Sequence, residues 1–190
     1  AVVTLPRSHA LILAGAGSGK TRVITHRIAW MLSRGIPPGN ILAVTFTNKA
    51  AREMQERVSE LAGAQSAKAL TVCTFHALGA KFLRMEARAI GLKPGFSILD
   101  ASDTSALFQE MLKDADKSRV KLIQQRISLW KNALVDPDTA AANAADELEH
   151  QVARAYRDYA ATLVAYQAVD FDDLIGLPVR LLREHDEVAR

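Results

Sequence analysis

Cysteine is almost missing from this chain. Cys73 is the only one in 190 residues, which excludes an internal disulfide and any metal cluster built on several thiolates. A reducing, cytoplasmic setting is the expectation that follows. Long apolar runs are missing too. None approaches the ~20 residues of a membrane span. No basic stretch followed by an apolar block opens the chain, so no signal peptide is expected. A start at Ala1 rather than Met points to residues upstream. Acidic residues are missing from the first part: residues 1–82 carry 10 Lys and Arg against 3 Glu and no Asp, a balance of +7. Residues 83–190 carry 14 Lys and Arg against 18 Asp and Glu, a balance of −4, so the net +3 conceals two unlike blocks. A basic block suits a polyanionic partner, nucleotide or nucleic acid. A solvated basic face accounts for the charge alone equally well.

What is present alternates between two periods. "ALIL" (10–13) reads as a buried strand, as do "ILAVTF" (41–46) and "LTVCTF" (70–75). Between the first two, Ile24, Ile28, Met31 and Leu32 mark one helix face, and "GIPPGN" (35–40) breaks that helix. Ala51, Met54, Val58 and Leu61 mark a second helix, ending near Gly63. Uninterrupted apolar strands alternating with helices predict an α/β fold with a parallel sheet. After residue 75 the pattern turns helical. Phe75, Leu78, Phe82 and Met85 share a face that "GLKPG" (91–95) closes. Asp136-Pro137 separates two helices, and Leu148, Val152, Ala155, Tyr159 and Tyr166 trace one long one. Gly176 and Pro178 punctuate the last. The expected division is an α/β portion over 1–75 and a helical portion over 76–190.

Gly15-Ala16-Gly17-Ser18-Gly19-Lys20-Thr21 lies between the first strand and the first helix, the context that a phosphate loop requires. Glycines let the backbone turn tightly and aim N–H groups at phosphate oxygens. The helix that follows presents its positive end. Lys20 would reach the terminal phosphates, and the Thr21 hydroxyl would ligate Mg²⁺. The general pattern begins with Gly where this chain has Ala14. Hydrolysis further needs a carboxylate at another strand end. "FSILD" (96–100) reads instead as a strand-to-helix junction with Ser102 or Asp103 capping the next helix. "VDFDDLI" (169–175) reads as a solvated helix start. The catalytic carboxylate is therefore expected to be absent from these residues.

In open α/β sheets ligands gather at the carboxyl ends of strands. There this chain puts Thr45, Phe46, Thr47, Asn48 and Lys49, and one strand later Thr74, Phe75 and His76. Hydroxyls and a helix start suit backbone phosphates, and a ring suits a stacked base. Taken singly, each group also fits a capping Thr beside a core Phe.

"LAGAGSGKTRVITHRIAWML", "ILAVTFTNKAAREMQERV" and "VCTFHAL", in this order and spacing, resemble the UvrD/Rep/PcrA group of superfamily 1 DNA helicases. The match is dense over residues 10–85 and looser through "FSILDASD" and "VDFDDLIGLPVRLL". That group tolerates Ala at position 14. The resemblance implies an ATP- and Mg²⁺-dependent 3′→5′ helicase acting on single-stranded DNA and its junction with duplex, in repair or replication. It implies a partial RecA-like domain over 1–75 and a helical insertion over 76–190. Residues 14–22, Ala14, Gly15, Ala16, Gly17, Ser18, Gly19, Lys20, Thr21 and Arg22, would hold the nucleotide, with Arg22 on the adenine. Phe46, Thr47, Asn48 and His76 would meet DNA. It also implies that the Asp-Glu carboxylate motif follows residue 190, so that this chain is an N-terminal piece, inactive alone.

Two alternatives stand beside that expectation: a non-catalytic DNA- and nucleotide-binding module, or another phosphate-loop NTPase. A small-molecule kinase needs an acceptor site that the sequence does not display. Cys73 reads as a small buried hydrophobe, and Tyr156, Tyr159 and Tyr166 as helix packing. Trp30 and Trp130 read as core or interface residues. Arg84 and Arg88, one helical turn apart, suit either a DNA backbone or an exposed face.

Overall fold

The computed structural model describes residues 2–5, 9–13, 15, 17–113, 115–185 and 187–188. They form two compact units, Ala1–Leu78 and Gly79–Arg190.

In the first unit, α1 (Lys20–Ser33) is followed by β1 (Leu42–Thr45), α2 (Asn48–Ala62), α3 (Ala64–Ala69) and β2 (Thr71–Thr74). α4 (Phe75–Met85) starts directly after β2. β1 and β2 are parallel, with Leu42 opposite Thr71 and Thr45 opposite Thr74. Their core gathers Ile28 of α1, Met54 and Val58 of α2, and Ala43 of β1. Ile28, Met31 and Leu32 of α1 and Met54 and Val58 of α2 thus cover the strands as their periods predict, while Ile24 and Leu61, expected on the same faces, are 42% and 46% exposed. α3, whose Ala67 joins this core, carries too short a period to read in advance.

Residues 10–13 depart from expectation. They form no strand, and Leu11 and Leu13 are 85% and 86% exposed. Apolar content does not make a strand without a ladder partner, and no described strand bonds to this segment.

In the second unit a 3-10 turn (Ala87–Ile90) leads to β3 (Ser97–Ile98), α5 (Ala101–Met111) and α6 (Lys117–Asn132). There follow α7 (Pro137–Ala142), α8 (Glu147–Ala165), β4 (Ala168–Val169) and α9 (Asp173–Glu184). β3 and β4 pair in parallel. One core packs α5, α6 and α8 around Phe108, Ile127 and Tyr159, whose two rings stack 4.4 Å apart. A second joins Leu83 of α4 to Leu174 and Leu181 of α9. The architecture is mixed α/β, with short parallel strand pairs among many helices.

The acidic balance of this unit has a local use. Asp100, Asp116, Asp136 and Asp146 each accept N–H bonds at a helix start, where a carboxylate satisfies orphan donors and faces the positive helix end. Asp100, not Ser102 or Asp103, caps α5. Its Oδ1 accepts from the N–H of Asp103 at 2.9 Å, and Asp103 Oδ2 accepts from the N–H of Asp100 at 3.1 Å. The expected cap is displaced because β3 ends at Ile98 and α5 already starts at Ala101, which puts Asp100 in the capping position.

The reading of 169–175 as a solvated helix start is wrong. Asp170 is 5% exposed and meets the Lys131 ammonium at 2.6 Å. The cation comes from α6, far away in sequence, so local spacing could not announce it. Gly176 and Pro178 likewise lie inside α9 rather than ending it. Pro178 removes the N–H that would bond the Leu174 carbonyl. That carbonyl abuts Gly79 of α4, where an added Cβ would sit 1.7 Å from it.

Tyr156 and Tyr159 pack as expected, while Tyr166 lies just beyond α8 and is 62% exposed. Cys73 is half-buried on β2. Trp130 stacks on Tyr156 at 6.2 Å, and Trp30 lies 6.0 Å from the Arg27 guanidinium. Arg84 is tied to its own unit, donating to the Pro94 carbonyl at 3.1 Å and lying 4.6 Å over the Phe96 ring. Among the described residues, no helix is long and apolar enough to cross a membrane.

Candidate functional site

The first unit carries the phosphate-loop candidate. Gly17 and Gly19 have φ of 73° and 84°, a left-handed conformation that costs other residues about 1–2 kcal/mol. They turn the chain so that α1 begins directly at Lys20. No side chain caps this helix start and no acidic residue stands in its first turn. Its N–H groups and positive end therefore meet no carboxylate from its own cap or first turn. Ser18 Oγ and Lys20 Nζ both donate to the Gly15 carbonyl, each at 2.6 Å, drawing the loop inward. Thr21 is half-buried and Arg22 exposed. The Arg22 carbonyl accepts from Thr25 Oγ1 at 3.0 Å, fixing the second turn of the helix. Ala14 and Ala16, also expected at the nucleotide, lie outside the described residues.

This donor set fits a polyphosphate. It combines left-handed glycines, an uncapped helix start and an ammonium, with no Asp in residues 1–82 to repel an anion. The Thr21 hydroxyl suits one position on Mg²⁺, an ion that keeps several waters. Asp100 and Asp170, the carboxylates weighed for hydrolysis, are engaged elsewhere, one in a cap and one with Lys131.

The strand tips form the second group. Because β1 and β2 run parallel and in register, Phe46 and Phe75 emerge beside each other. Their ring centroids are 5.4 Å apart and tilted by 47°. Phe46 is 86% exposed and Phe75 44%, unusual for residues that normally seek a core. Thr47 and Asn48 are exposed next to Phe46 in sequence, and the Thr47 hydroxyl caps α2 by accepting from the Ala50 N–H at 3.1 Å. Thr45 is half-buried. Thr74 is 7% exposed, its hydroxyl accepting from the Ala77 N–H at 3.1 Å, so it braces the start of α4 from beneath. His76 is exposed in the first turn of α4. Lys49 is exposed and lies 4.0 Å from Glu53. The structure thus brings the two rings together, leaves Thr47, Asn48 and His76 accessible, and buries Thr74.

Sequence spacing did not reveal that the rings touch, since this depends on strand register. Nor did it reveal the Gly15 carbonyl as the anchor of Ser18 and Lys20.

All 190 residues match the family model described as the UvrD/REP helicase N-terminal domain. The ATP-dependent DNA helicase Rep of Escherichia coli is 46% identical over 184 residues, covering 95% of this chain and 27% of that protein. Rep of Salmonella typhimurium is 47% identical over 182 residues, covering 94% and 27%. The ATP-dependent DNA helicase PcrA of Staphylococcus aureus is 43% identical over 183 residues, covering 94% and 25%. The chain spans about a quarter of the length of the curated relatives it matches. With the family model matched from end to end, this chain belongs to the UvrD/REP helicase N-terminal domain family.

Proposed function

We propose that the chain forms the first nucleotide- and DNA-binding part of an ATP-dependent DNA helicase that moves 3′→5′ along single-stranded DNA. The observation that carries this reading is the pair of exposed rings, Phe46 and Phe75, on adjacent strand tips of the unit that bears the phosphate loop. Two aromatic faces beside exposed polar groups suit successive bases of a single strand; a duplex keeps its bases stacked on each other. The names of the Rep and PcrA relatives agree with nucleotide use and a DNA substrate.

In this reading residues 1–75 begin a RecA-like nucleotide domain and 76–190 form a helical insertion. The compact units, which divide between Leu78 and Gly79, support that partition. The first-turn N–H groups of α1 hold phosphate oxygens, and Lys20 leaves the Gly15 carbonyl for the terminal phosphates. Thr21 offers its hydroxyl to Mg²⁺, and Arg22 covers the adenine. Bound Mg²⁺ would offset phosphate charge. Phe46, Phe75 and His76 face bases, while Thr47 and Asn48 face the sugar-phosphate chain. The residues of this chain bind and orient. Among the described residues of the first unit no Asp stands beside the loop to activate water, so in this reading the chain alone binds nucleotide and DNA without turnover.

Fluorescence anisotropy with a labelled thymidine oligomer tests the DNA face. Phe46→Ala should weaken binding by about 1–3 kcal/mol, the worth of one base–aromatic stack. An unchanged affinity, or equal binding of duplex, would remove the single-strand reading. Equilibrium binding of a fluorescent ATP analogue tests the loop. Lys20→Ala should lower affinity by about ten- to a hundredfold, the loss of one charged hydrogen-bond donor of about 1.5–3 kcal/mol. Mg²⁺-dependent phosphate release by the isolated chain would overturn the inactivity assigned to it.

A further inference from the structure

A buried charge cluster lies in the second unit, among residues not assigned above to nucleotide or DNA binding. The Lys131 ammonium, on α6, lies 2.6 Å from Asp170 Oδ2 and 2.9 Å from Asp173 Oδ1. The three side chains are 8%, 7% and 15% exposed. Tyr159 of α8 donates its hydroxyl to Asp170 Oδ2 at 2.7 Å. Asp173 donates its N–H to Asp170 Oδ1 at 2.9 Å, and Asp170 donates its N–H to Asp173 Oδ2 at 3.2 Å. Among the described residues one cation therefore serves two carboxylates, leaving a net negative charge in a largely buried place.

Among the described residues around the pair, no second cation is seen on it. A cavity of about 220 Å³ borders Asp173 and is walled largely by apolar side chains such as Leu163 and Leu177. Tyr156, Asp136, Asp172 and Arg180 also line it. Arg180 is drawn to Glu184 at 3.5 Å, and Asp172 accepts from Asn132 at 3.0 Å. α4 and the 3-10 turn meet α9 through apolar residues such as Leu83 and Ala87. Ionised carboxylates held in such a place are costly unless one of them takes up a proton.

We propose that this cluster is a proton-binding centre: the folded helical unit holds a proton on Asp173, beside Asp170 and Lys131, that the unfolded chain releases, so α9 and β4 are gripped more tightly in mildly acidic medium. Burial pushes the Asp173 carboxyl up to about 6; Lys131 opposes the rise and the Asp170 charge adds to it. Burial works against Asp170 as well, but Lys131 and its hydrogen bonds outweigh it and hold that carboxyl below the ordinary range. Between about 6 and the unfolded value of 3.8, the folded state carries the extra proton. Stability therefore rises as pH falls through 6 and is lost again as pH climbs past it. Below the ordinary carboxylate range, protonation of Asp170 reverses the gain.

Hydrogen exchange of the full chain, corrected for the intrinsic pH dependence of amide exchange, reads this directly. Opening of β4 and α9 should be about tenfold rarer at pH 5 than at pH 7.5, the ratio that one proton site near 6 imposes. Asp173→Asn keeps a carbonyl for the Asp170 N–H and should flatten that dependence. Carboxyl-carbon NMR of the unsubstituted chain should give Asp173 a midpoint near 6. An Asp173 midpoint in the ordinary carboxylate range, or the same exchange profile with and without the substitution, overturns the proposal. If Asp173→Asn does not fold, the NMR midpoint alone decides.

Discussion

Gly79→Ala unfolds the helical unit more easily even though alanine is the better helix former. The added Cβ would lie 1.7 Å from the Leu174 carbonyl oxygen and 2.9 Å from its carbon. These are backbone atoms of α9, so no side chain can swing away, and α9 must move. Its Leu174 and Leu181 would then lose their packing against Leu83. The cost is at or above the ~3 kcal/mol upper end of ordinary overpacking. For a chain of this size it should lower Tm by about 6–12 °C. Gly176→Ala, in the partner helix, has the opposite sign. Its Cβ would meet a Leu134 methyl at 3.6 Å and the Lys131 carbonyl oxygen at 3.8 Å, ordinary contacts. There the gain in helix propensity should prevail, raising stability by about 0.5–1 kcal/mol. Paired thermal melts decide the matter; equal shifts from the two substitutions would show that the close approach is not what limits residue 79.

Lys131→Ala is the second large effect. It leaves Asp170 and Asp173 facing each other with no cation, and the Tyr159 hydroxyl donating into the pair. Breaking a buried pair by removing one partner costs about 3–5 kcal/mol. The loss should be greatest near neutral pH and shrink as the medium becomes acidic, because protonated carboxyls no longer need the ammonium. Adding Asp173→Asn to Lys131→Ala should recover part of the loss, measured by urea unfolding as a double-mutant cycle. Additive penalties would contradict the direct contact.

The parts that were legible in advance rest on local period. α2 shows its apolar face as Ala51, Met54 and Val58, and β1 and β2 are short apolar runs bounded by turns and caps. The loop at Gly17 and Gly19 was legible because glycine at such positions has a stereochemical reason. The parts that were not legible depend on distant partners. Residues 10–13 have the composition of a strand and no strand beside them. Asp170 and Asp173 looked like surface acids until Lys131 was placed against them. Pro178 could be read as punctuating the last helix, but local spacing could not show that the Leu174 carbonyl that it deprives of a donor is accommodated against Gly79 on another helix. At the strand tips, residue types pointed to a ligand edge, yet only register could separate the exposed Phe46 from the buried Thr74.

β3 and β4 are neighbours running the same way, and each ends in an Asp-x-x-Asp turn that exchanges reciprocal N–H bonds before its helix. α5 and α9 therefore begin just beyond the same end of this strand pair, and each presents its electropositive pole to its own pair of aspartates. The two aspartates at each exit place carboxylates at that pole and satisfy N–H groups there.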